Sequence, residues 1–260
     1  MANSAPIGGG AAGIVVTNDD VPWDCFDSDD YFSHNYGHLR HDDAQIIDIV
    51  AGFFVHCFDR HPPPKRLAKA IDVGSGTNLY PALTMPPFSS SVTLLERSHR
   101  NRQWLTAALA EPQGTWRAEF WEAIVGGRRI YEPIRDPLDV LAGRAEVTRG
   151  NLFELRPNQF DLGTMFFVAE SISTQEAEFR RATQLFVESL LPGAPFAAAF
   201  MCHSQGYVVG STFFPACSID VADVESCLAA AARVNRIDRV ESNDLRDGYS
   251  GMIVATGWKR

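Results

Sequence analysis

A glycine-rich turn and a downstream acid are the residues whose spacing best predicts chemistry in this chain. Residues 70–77 read AIDVGSGT, so Gly74 and Gly76 follow a short apolar run. Glycine lets the backbone turn sharply and approach a ligand closely, and the N–H groups that open a helix favour an anion or carboxylate. Glu96 ends the next apolar run about 20 residues on, where doubly wound sheets bind ribose hydroxyls. The spacing predicts a site for an adenosine-containing ligand.

The turn also distinguishes between nucleotide ligands. Leu79 stands where the G-x-G-x-x-G dinucleotide pattern has its third glycine, and no GK[ST] follows, so a phosphate-cradling P-loop is excluded. The pattern D-x-G-x-G suits S-adenosylmethionine, because its methionine carboxylate and amino group need a polar turn and no pyrophosphate cradle. An ordinary glycine turn would explain the glycines but not Asp72 and Glu96. We therefore predict S-adenosylmethionine as the cofactor.

Glu170 and His203 are candidate catalytic bases. Methyl transfer from a sulfonium is an in-line displacement, so the protein must place the acceptor behind the methyl group and exclude water. An amine acceptor must be neutral when it attacks, and an indole carbon must lose a proton, which either residue could accept. Both have structural alternatives: Glu170 could be an acid at a helix N-terminus, and His203 a solvated loop residue.

Alternating strands and helices must position these residues, which predicts an α/β, doubly wound, mostly parallel seven-stranded sheet with an N-terminal helical cap. The predicted strands lie near 70–73, 92–95, 145–148, 160–168, 196–201, 236–240 and 251–256. The predicted helices span 41–60, 101–110, 174–191 and 218–233, with an extra helix within 115–134.

Length and composition limit the domain organisation and the partners. The 260 residues fit one domain, 21–260, whose cap covers about 21–60, after a flexible tail at 1–20. The net charge of −9, without a basic run, argues against a nucleic-acid partner. The five cysteines lack C-x-x-C spacing, so neither disulfides nor a metal site is expected. With no signal peptide or membrane span in the sequence, we expect a cytoplasmic protein.

The chain resembles the class I S-adenosylmethionine methyltransferases, and within them the nicotinamide, phenylethanolamine and indolethylamine N-methyltransferase family. The resemblance covers most of the chain from Trp23 onward and implies a Rossmann-like fold. It is carried by the Asp30-Tyr31 and Tyr36 pair, IDVGSG with Tyr80 behind it, TLLERSHRNRQWL, the Asn151 turn, FFVAES and LLPGA.

The resemblance implies roles for individual positions. Tyr31 and Tyr36 would fold over the cofactor. The turn would hold its methionine end through Gly74, Ser75, Gly76 and Thr77, with Tyr80 nearby. Glu96 and Asn101 would bind the ribose, Asn151 and Leu152 would bind the adenine, and Phe166 would lie along the cofactor. The predicted substrate-binding residues are Trp23, Phe26, Phe200, Tyr207 and Asp247.

Departures from the family pattern bear on the acceptor. Phe200 and His203 stand where relatives tend to have an acid, so the carboxylate clamp for a cationic amine looks incomplete. This favours a small, neutral nitrogen-containing aromatic acceptor, indole or alkaloid-like, in secondary metabolism, with carbon methylation as one outcome. The alternatives are N-methylation of an aromatic amine or pyridine, and a non-catalytic protein that only binds S-adenosylmethionine. We expect a monomer or homodimer.

Overall fold

A seven-stranded, mostly parallel sheet forms the centre of the computed structural model, which describes residues 15–60, 68–241 and 250–260. The strands are β1 (Ala68–Val73), β2 (Ser89–Glu96), β3 (Ala145–Arg149), β4 (Leu162–Phe166), β5 (Pro195–Met201), β6 (Tyr207–Val209), β7 (Thr212–Phe214), β8 (Ala232–Val240) and β9 (Met252–Lys259). The sheet order is β3-β2-β1-β4-β5-β9-β8. β9 runs antiparallel to both β5 and β8, the other adjacent strands are parallel, and β6 pairs with β7 as a separate hairpin. The predicted doubly wound α/β fold is confirmed.

Helices connect the strands and cover the sheet. They are α1 (Ser28–Asn35), α2 (His41–Arg60), α3 (Tyr80–Leu83), α4 (His99–Ala110), α5 (Glu122–Val125), α6 (Pro137–Ala142), α7 (Glu176–Ser189) and α8 (Val221–Leu228). A π-helical turn covers Trp116–Trp121, and short 3-10 turns cover Trp23–Cys25 and Leu152–Glu154. The helix predicted at 41–60 is confirmed as α2, with the same bounds.

The two faces of the sheet carry separate hydrophobic cores. Helix α2 and the aromatic segment around Trp116 pack on one face, and α7 and α8 pack on the other. Side chains alternate between the faces along β5: Ala197 and Ala199 enter the first core, while Phe196 and Phe200 enter the second. Phe200 is fully buried against Phe179 on α7, with ring centroids 5.8 Å apart.

Two predicted elements differ in extent near the C-terminus. The helix expected at 218–233 ends at Leu228, and the strand expected at 236–240 begins at Ala232. The alanine-rich sequence favours helix locally, but pairing with β9 extends the strand, so tertiary contacts outweigh intrinsic propensity. The hairpin β6–β7 was not predicted.

A third, smaller hydrophobic cluster joins the chain's N-terminal part to the hairpin. Val21 and Phe26 pack there against Val209 and Phe214. The sequence predicted a cap of about 21–60, but α2 packs in the core of the sheet. From here on the term cap is limited to residues 21–36, and the cap plus the hairpin is called the roof. Residues 16–20, which we call the strap, fall in the segment expected to be a tail, yet Asn18 is only 4% exposed. Residues 1–14 lie outside the described part of the chain.

None of the helices that the structure describes is both long enough and apolar enough to cross a lipid bilayer.

Candidate functional site

A cavity opens at the carboxyl ends of β1, β2, β3 and β4, beneath the roof. The sequence-predicted residues that line it are Trp23, Phe26, Tyr31, Tyr36, Gly74, Ser75, Gly76, Thr77, Glu96, Asn101, Asn151, Leu152, Phe166 and Tyr207. Residues far apart in the chain therefore meet at one edge of the sheet, because parallel strands end there together.

The glycine turn is fitted to its surroundings at Gly74. Gly74 has φ of +67°, and a Cβ atom there would meet the side chain of Val168 at 2.5 Å. Its N–H donates to the carbonyl of Leu95 over 2.7 Å, which ties the turn to the end of β2. Only glycine satisfies both the left-handed conformation and the close approach.

Glu96 organises the junction of the turn with the start of α4. One carboxylate oxygen accepts from Gly76 N over 2.8 Å and the other from Ser98 N over 2.7 Å. Burial raises the pKa of Glu96, while these backbone N–H groups oppose the rise. Each oxygen has a further lone pair, so the carboxylate can still accept from ligand hydroxyls.

Asp72 supports the turn from below. Its Oδ1 accepts from Thr164 Oγ1 over 2.6 Å, which joins β1 to β4. Complete burial raises the pKa of Asp72 to about 7, although the hydroxyls of Thr164 and Ser75 lower it. Asp72, the acid of the D-x-G-x-G pattern, therefore supports the turn and does not line the cavity.

Buried donors without partners mark the same end of the cavity. The Thr77 hydroxyl and Asn78 Nδ2 have no hydrogen-bond partner among the described residues. The side chain of Asn78 is oriented, because its Oδ1 accepts from Tyr80 N over 3.2 Å. An unpaired buried donor destabilises the fold by roughly 1–3 kcal/mol, and a ligand carboxylate would relieve this. The turn therefore fits the methionine end of the predicted cofactor.

Asn101 links the cap to this part of the site. Its Oδ1 accepts from the hydroxyl of Ser28 on α1 over 2.7 Å, and its Nδ2 lies near Gly76. The Ser98 side chain caps α4 by accepting from Asn101 N, which fixes where the helix begins. Asn101 thus connects α1 to the glycine turn.

Asn151 and Arg97 line the cavity where β3 and β2 end. Asn151 caps the short turn Leu152–Glu154 by accepting from Phe153 N. Arg97 forms an ion pair with Asp19 of the strap over 2.9 Å. A second, mainly polar cavity adjoins here and shares Arg97 and Asn151 with the first.

Aromatic rings form the roof. Phe214 stacks on Trp23 and Tyr207, with centroids 5.7 and 5.5 Å apart, and Phe26 packs at 5.1 Å. Asp30 on α1 accepts from Gly210 N in the hairpin over 2.9 Å. The cap and the hairpin are therefore packed on each other as well as over the cavity.

Several predicted site residues lie outside the cavity lining. Phe200 is a core residue, because the β5 alternation turns it away from the site. His203 is exposed, with its Nδ1 2.8 Å from Ser250 Oγ. Tyr80 is buried behind Tyr36, and burial raises its phenol pKa well above the usual range. Asp247 lies outside the described residues.

Glu170 is completely buried beside the site and does not line it. Its Oε1 accepts from Met201 N over 2.9 Å and from Ser171 Oγ over 3.1 Å, while Oε2 has no partner in the part of the chain described. Burial raises its pKa to about 7. The carboxyl thus ties the end of β5 to the segment after β4.

Other lining residues were not predicted. Asn18 comes from the strap, and Phe167, Val168, Ser171 and Ile172 come from the segment after β4. Phe167 has φ of +60°, which is uncommon for a residue with a side chain and typical of functional sites. The FFVAES motif pointed to that segment, whereas no local signal marked Asn18.

Solved structures similar to this chain share its fold. A methyltransferase from Methanosarcina mazei is 14% identical with a TM-score of 0.54, over 78% of this chain and 96% of that one. N-methyltransferase NodS from Bradyrhizobium japonicum, in complex with S-adenosyl-L-homocysteine, is 10% identical with a TM-score of 0.51, over 89% and 92%. A Clostridium acetobutylicum S-adenosylmethionine-dependent methyltransferase is 11% identical with a TM-score of 0.52, over 88% and 95%.

The comparisons with family models and with curated proteins find no match. The similar structures establish the Rossmann-like class I methyltransferase fold, as predicted.

Proposed function

We propose that this protein is an S-adenosylmethionine-dependent methyltransferase that acts on a small, neutral, nitrogen-containing aromatic acceptor. The observation that carries the proposal is the convergence of the glycine turn, Glu96 and Asn151 on one cavity. In this fold such a cavity lies where nucleoside ligands bind. S-adenosyl-L-homocysteine in NodS supports the same cofactor class.

The residues present suggest how the cofactor would be held. Thr77 and Asn78, whose side-chain donors lack partners among the described residues, would donate to the methionine carboxylate. Glu96 would accept from the ribose hydroxyls, and Asn151 would contact the adenine. The cofactor supplies an electrophilic methyl group on a sulfonium. The chain's own contribution is to orient the acceptor and to exclude water beneath the aromatic roof.

The charge of the lining supports a neutral acceptor. Glu96 is the only carboxylate among the described residues that line the cavity, and the proposal assigns it to the ribose of the cofactor. A cationic amine would need an acid beside it to offset its desolvation. The rings of Phe26, Tyr31 and Tyr207 suit a flat aromatic ring instead. An indole or alkaloid-like molecule has this chemistry, and N-methylation of a pyridine is the alternative.

Two measurements test the proposal in sequence. Calorimetry with S-adenosyl-L-homocysteine should show one binding site per chain. Assays with methyl-labelled cofactor should then show transfer to nicotinamide or a tryptophan-containing cyclic dipeptide and little to tryptamine, whose amine is cationic near pH 7. Product analysis would separate carbon from nitrogen transfer. Binding without transfer to any nitrogenous aromatic would indicate a non-catalytic cofactor-binding protein. Absence of binding would refute the cofactor assignment.

A further inference from the structure

The cavity wall that follows β4 carries a hydroxyl that is hydrogen-bonded to a buried acid. Ser171 lines the cavity, and its Oγ donates to Glu170 Oε1 over 3.1 Å. Glu170 itself is completely buried and does not line the cavity. Ser171 is therefore the side chain that connects the space inside the cavity to this carboxyl.

The carboxylate sets the direction in which the Ser171 hydroxyl points. A serine hydroxyl has one proton and two lone pairs, whereas an ionised carboxylate only accepts. Because the Ser171 proton is donated to Glu170, the Oγ offers only lone pairs to a ligand. A ligand must then bring a donor, such as the ring N–H of an indole. A pyridine nitrogen, which only accepts, would find no partner at this oxygen.

Glu170 is held in place and has the capacity to take up a proton. Met201 N donates to the same Oε1 over 2.9 Å, while Oε2 is buried and has no partner in the part of the chain that the structure describes. An ionised carboxylate here lacks donors that would stabilise its charge. Burial accordingly raises the pKa of Glu170 to about 7, so the carboxylate can act as a base near neutral pH.

Two titratable side chains among the described residues face Glu170 from neighbouring elements, and both stay neutral near pH 7. Tyr207 on β6 donates its hydroxyl to the Ser171 carbonyl over 3.4 Å, and burial raises its pKa well above the usual range. Cys217, which follows β7, donates its backbone N–H to the Glu170 carbonyl over 2.7 Å. Burial raises the pKa of the Cys217 thiol to about 11. Neither group competes with Glu170 for a proton.

On the basis of the proposed function, we propose that Ser171 binds the ring N–H of an indole-type acceptor and relays its proton to Glu170 during methyl transfer to a ring carbon. The ring carbon bonds to the methyl group as the methyl–sulfur bond breaks, and the sulfur keeps the electron pair. The N–H proton moves to Ser171 Oγ while the Ser171 proton moves to Glu170, which leaves a neutral ring imine. Because Ser171 engages the ring nitrogen, the carbon is the atom left to face the methyl group.

Calorimetry in the presence of S-adenosyl-L-homocysteine tests the N–H contact without turnover. The probes are a tryptophan-containing cyclic dipeptide and its analogue in which sulfur replaces the ring N–H. The wild-type chain should bind the sulfur analogue about fivefold to tenfold more weakly, since one hydrogen bond is lost. Ser171→Ala should bind both probes equally, so the double-mutant cycle isolates this contact. Ser173→Ala, which removes a buried hydroxyl outside the cavity lining, is the matched control and should keep the wild-type ratio.

Single-turnover rates of methyl transfer to the same dipeptide test the relay. The wild-type rate should rise as pH increases through about 7, because Glu170 must be ionised to take the proton. Glu170→Gln keeps an oxygen for Ser171 and Met201 but cannot accept a proton. We expect the rates of Glu170→Gln and Ser171→Ala to fall about a hundredfold at pH 8 and to lose this rise. A purely structural role would lower the rate without changing the shape of the pH profile.

The results separate the inference from the proposed function. Equal binding of the two probes to the wild-type chain would overturn the N–H contact, and a wild-type pH profile in Glu170→Gln would overturn the relay. Transfer to nicotinamide but not to the cyclic dipeptide would also overturn the inference, while the proposed function stood. If Ser171→Ala fails to fold, the wild-type probe ratio and the Glu170→Gln profile still decide. Absence of transfer to any nitrogenous aromatic would remove both.

Discussion

Position 74 requires glycine for two reasons, the close contact with Val168 and the positive φ, and mutation can separate them. Gly74→Ala would place a Cβ atom against Val168 and strain the backbone at φ of +67°. We expect Kd for S-adenosyl-L-homocysteine to rise at least about tenfold, or about 1.4 kcal/mol, by calorimetry. Adding Val168→Ala should recover part of this loss, since it removes the clash and leaves the strain.

Gly127 provides the control for that variant. It has φ of +75°, but a Cβ atom there would meet nothing within 4 Å. Gly127→Ala should therefore destabilise the fold through backbone strain alone and leave cofactor affinity unchanged. Equal affinities for the Gly74→Ala and wild-type proteins would show that the turn does not hold the ligand.

Glu96 accepts two backbone hydrogen bonds that Glu96→Ala would leave unpaired. Because the turn loses its anchor and the ligand loses an acceptor, we expect Kd for S-adenosyl-L-homocysteine to rise between about tenfold and a hundredfold. The cofactor KM should rise in step. Glu146→Ala, at an exposed position on β3, is the matched control. An unchanged KM for Glu96→Ala would contradict the ribose assignment.

At the scale of elements, the roof is a unit with its own small core. Phe214 is fully buried and contacts rings from the cap and its own hairpin, while Phe179 belongs to the large core beneath the sheet. Phe214→Ala should therefore loosen the roof more than it destabilises the domain. We expect faster amide hydrogen exchange in 16–36 and 207–214, with little change in the sheet.

Phe179→Ala is the comparison for the roof variant. It should lower the free energy of unfolding by roughly 3–5 kcal/mol and raise exchange across the whole domain. If Phe214→Ala gave the same uniform change, the roof would not be a separate unit. A loosened roof should also weaken acceptor binding more than cofactor binding, because its rings cover the cavity while the glycine turn is held by the sheet.

At the scale of the whole molecule, two buried carboxyls outside the cavity lining make stability depend on pH. Burial raises the pKa of both Asp72 and Glu170 to about 7. In each case the unfolded chain releases its proton at a lower pH than the folded one. The resulting stability is fully present below the unfolded pKa values and is lost as pH rises through about 7.

Glu170→Gln should remove one of these two contributions. Gln keeps an oxygen for Met201 N and Ser171, and carries no charge to bury. We expect unfolding in urea to show similar free energies for variant and wild type near pH 4.5, and a variant more stable by up to about 3 kcal/mol at pH 8. Glu146→Gln should follow the wild-type curve. Parallel curves for all three proteins would show that Glu170 is ionised without penalty in the fold.

Local sequence determined the parts of the site that depend on near neighbours. The Gly74–Gly76 turn, the acid that ends β2 and the alternation of strand and helix are set by backbone geometry and short spacing. Because parallel strands bring their carboxyl ends to one edge, these signals also predicted that the turn and Glu96 would meet. The place of Asn151 in the site was implied by the family resemblance. The fold class followed from the same regularity.

Tertiary structure alone decided the remaining positions in the site and the core, because these positions depend on which residues distant in the chain come into contact. The alternation of side chains along β5 places Phe200 in the core. Packing buries Glu170 beside the cavity, although the sequence suggested that it was a base. No periodicity marked the short hairpin β6–β7 as a roof, since its rings are stabilised by Trp23 and Phe26 far away in the chain. Asn18 reaches the cavity only because Thr174 and Glu178, distant in the sequence, hold the strap. Such contacts arise from register and packing, which local spacing does not encode.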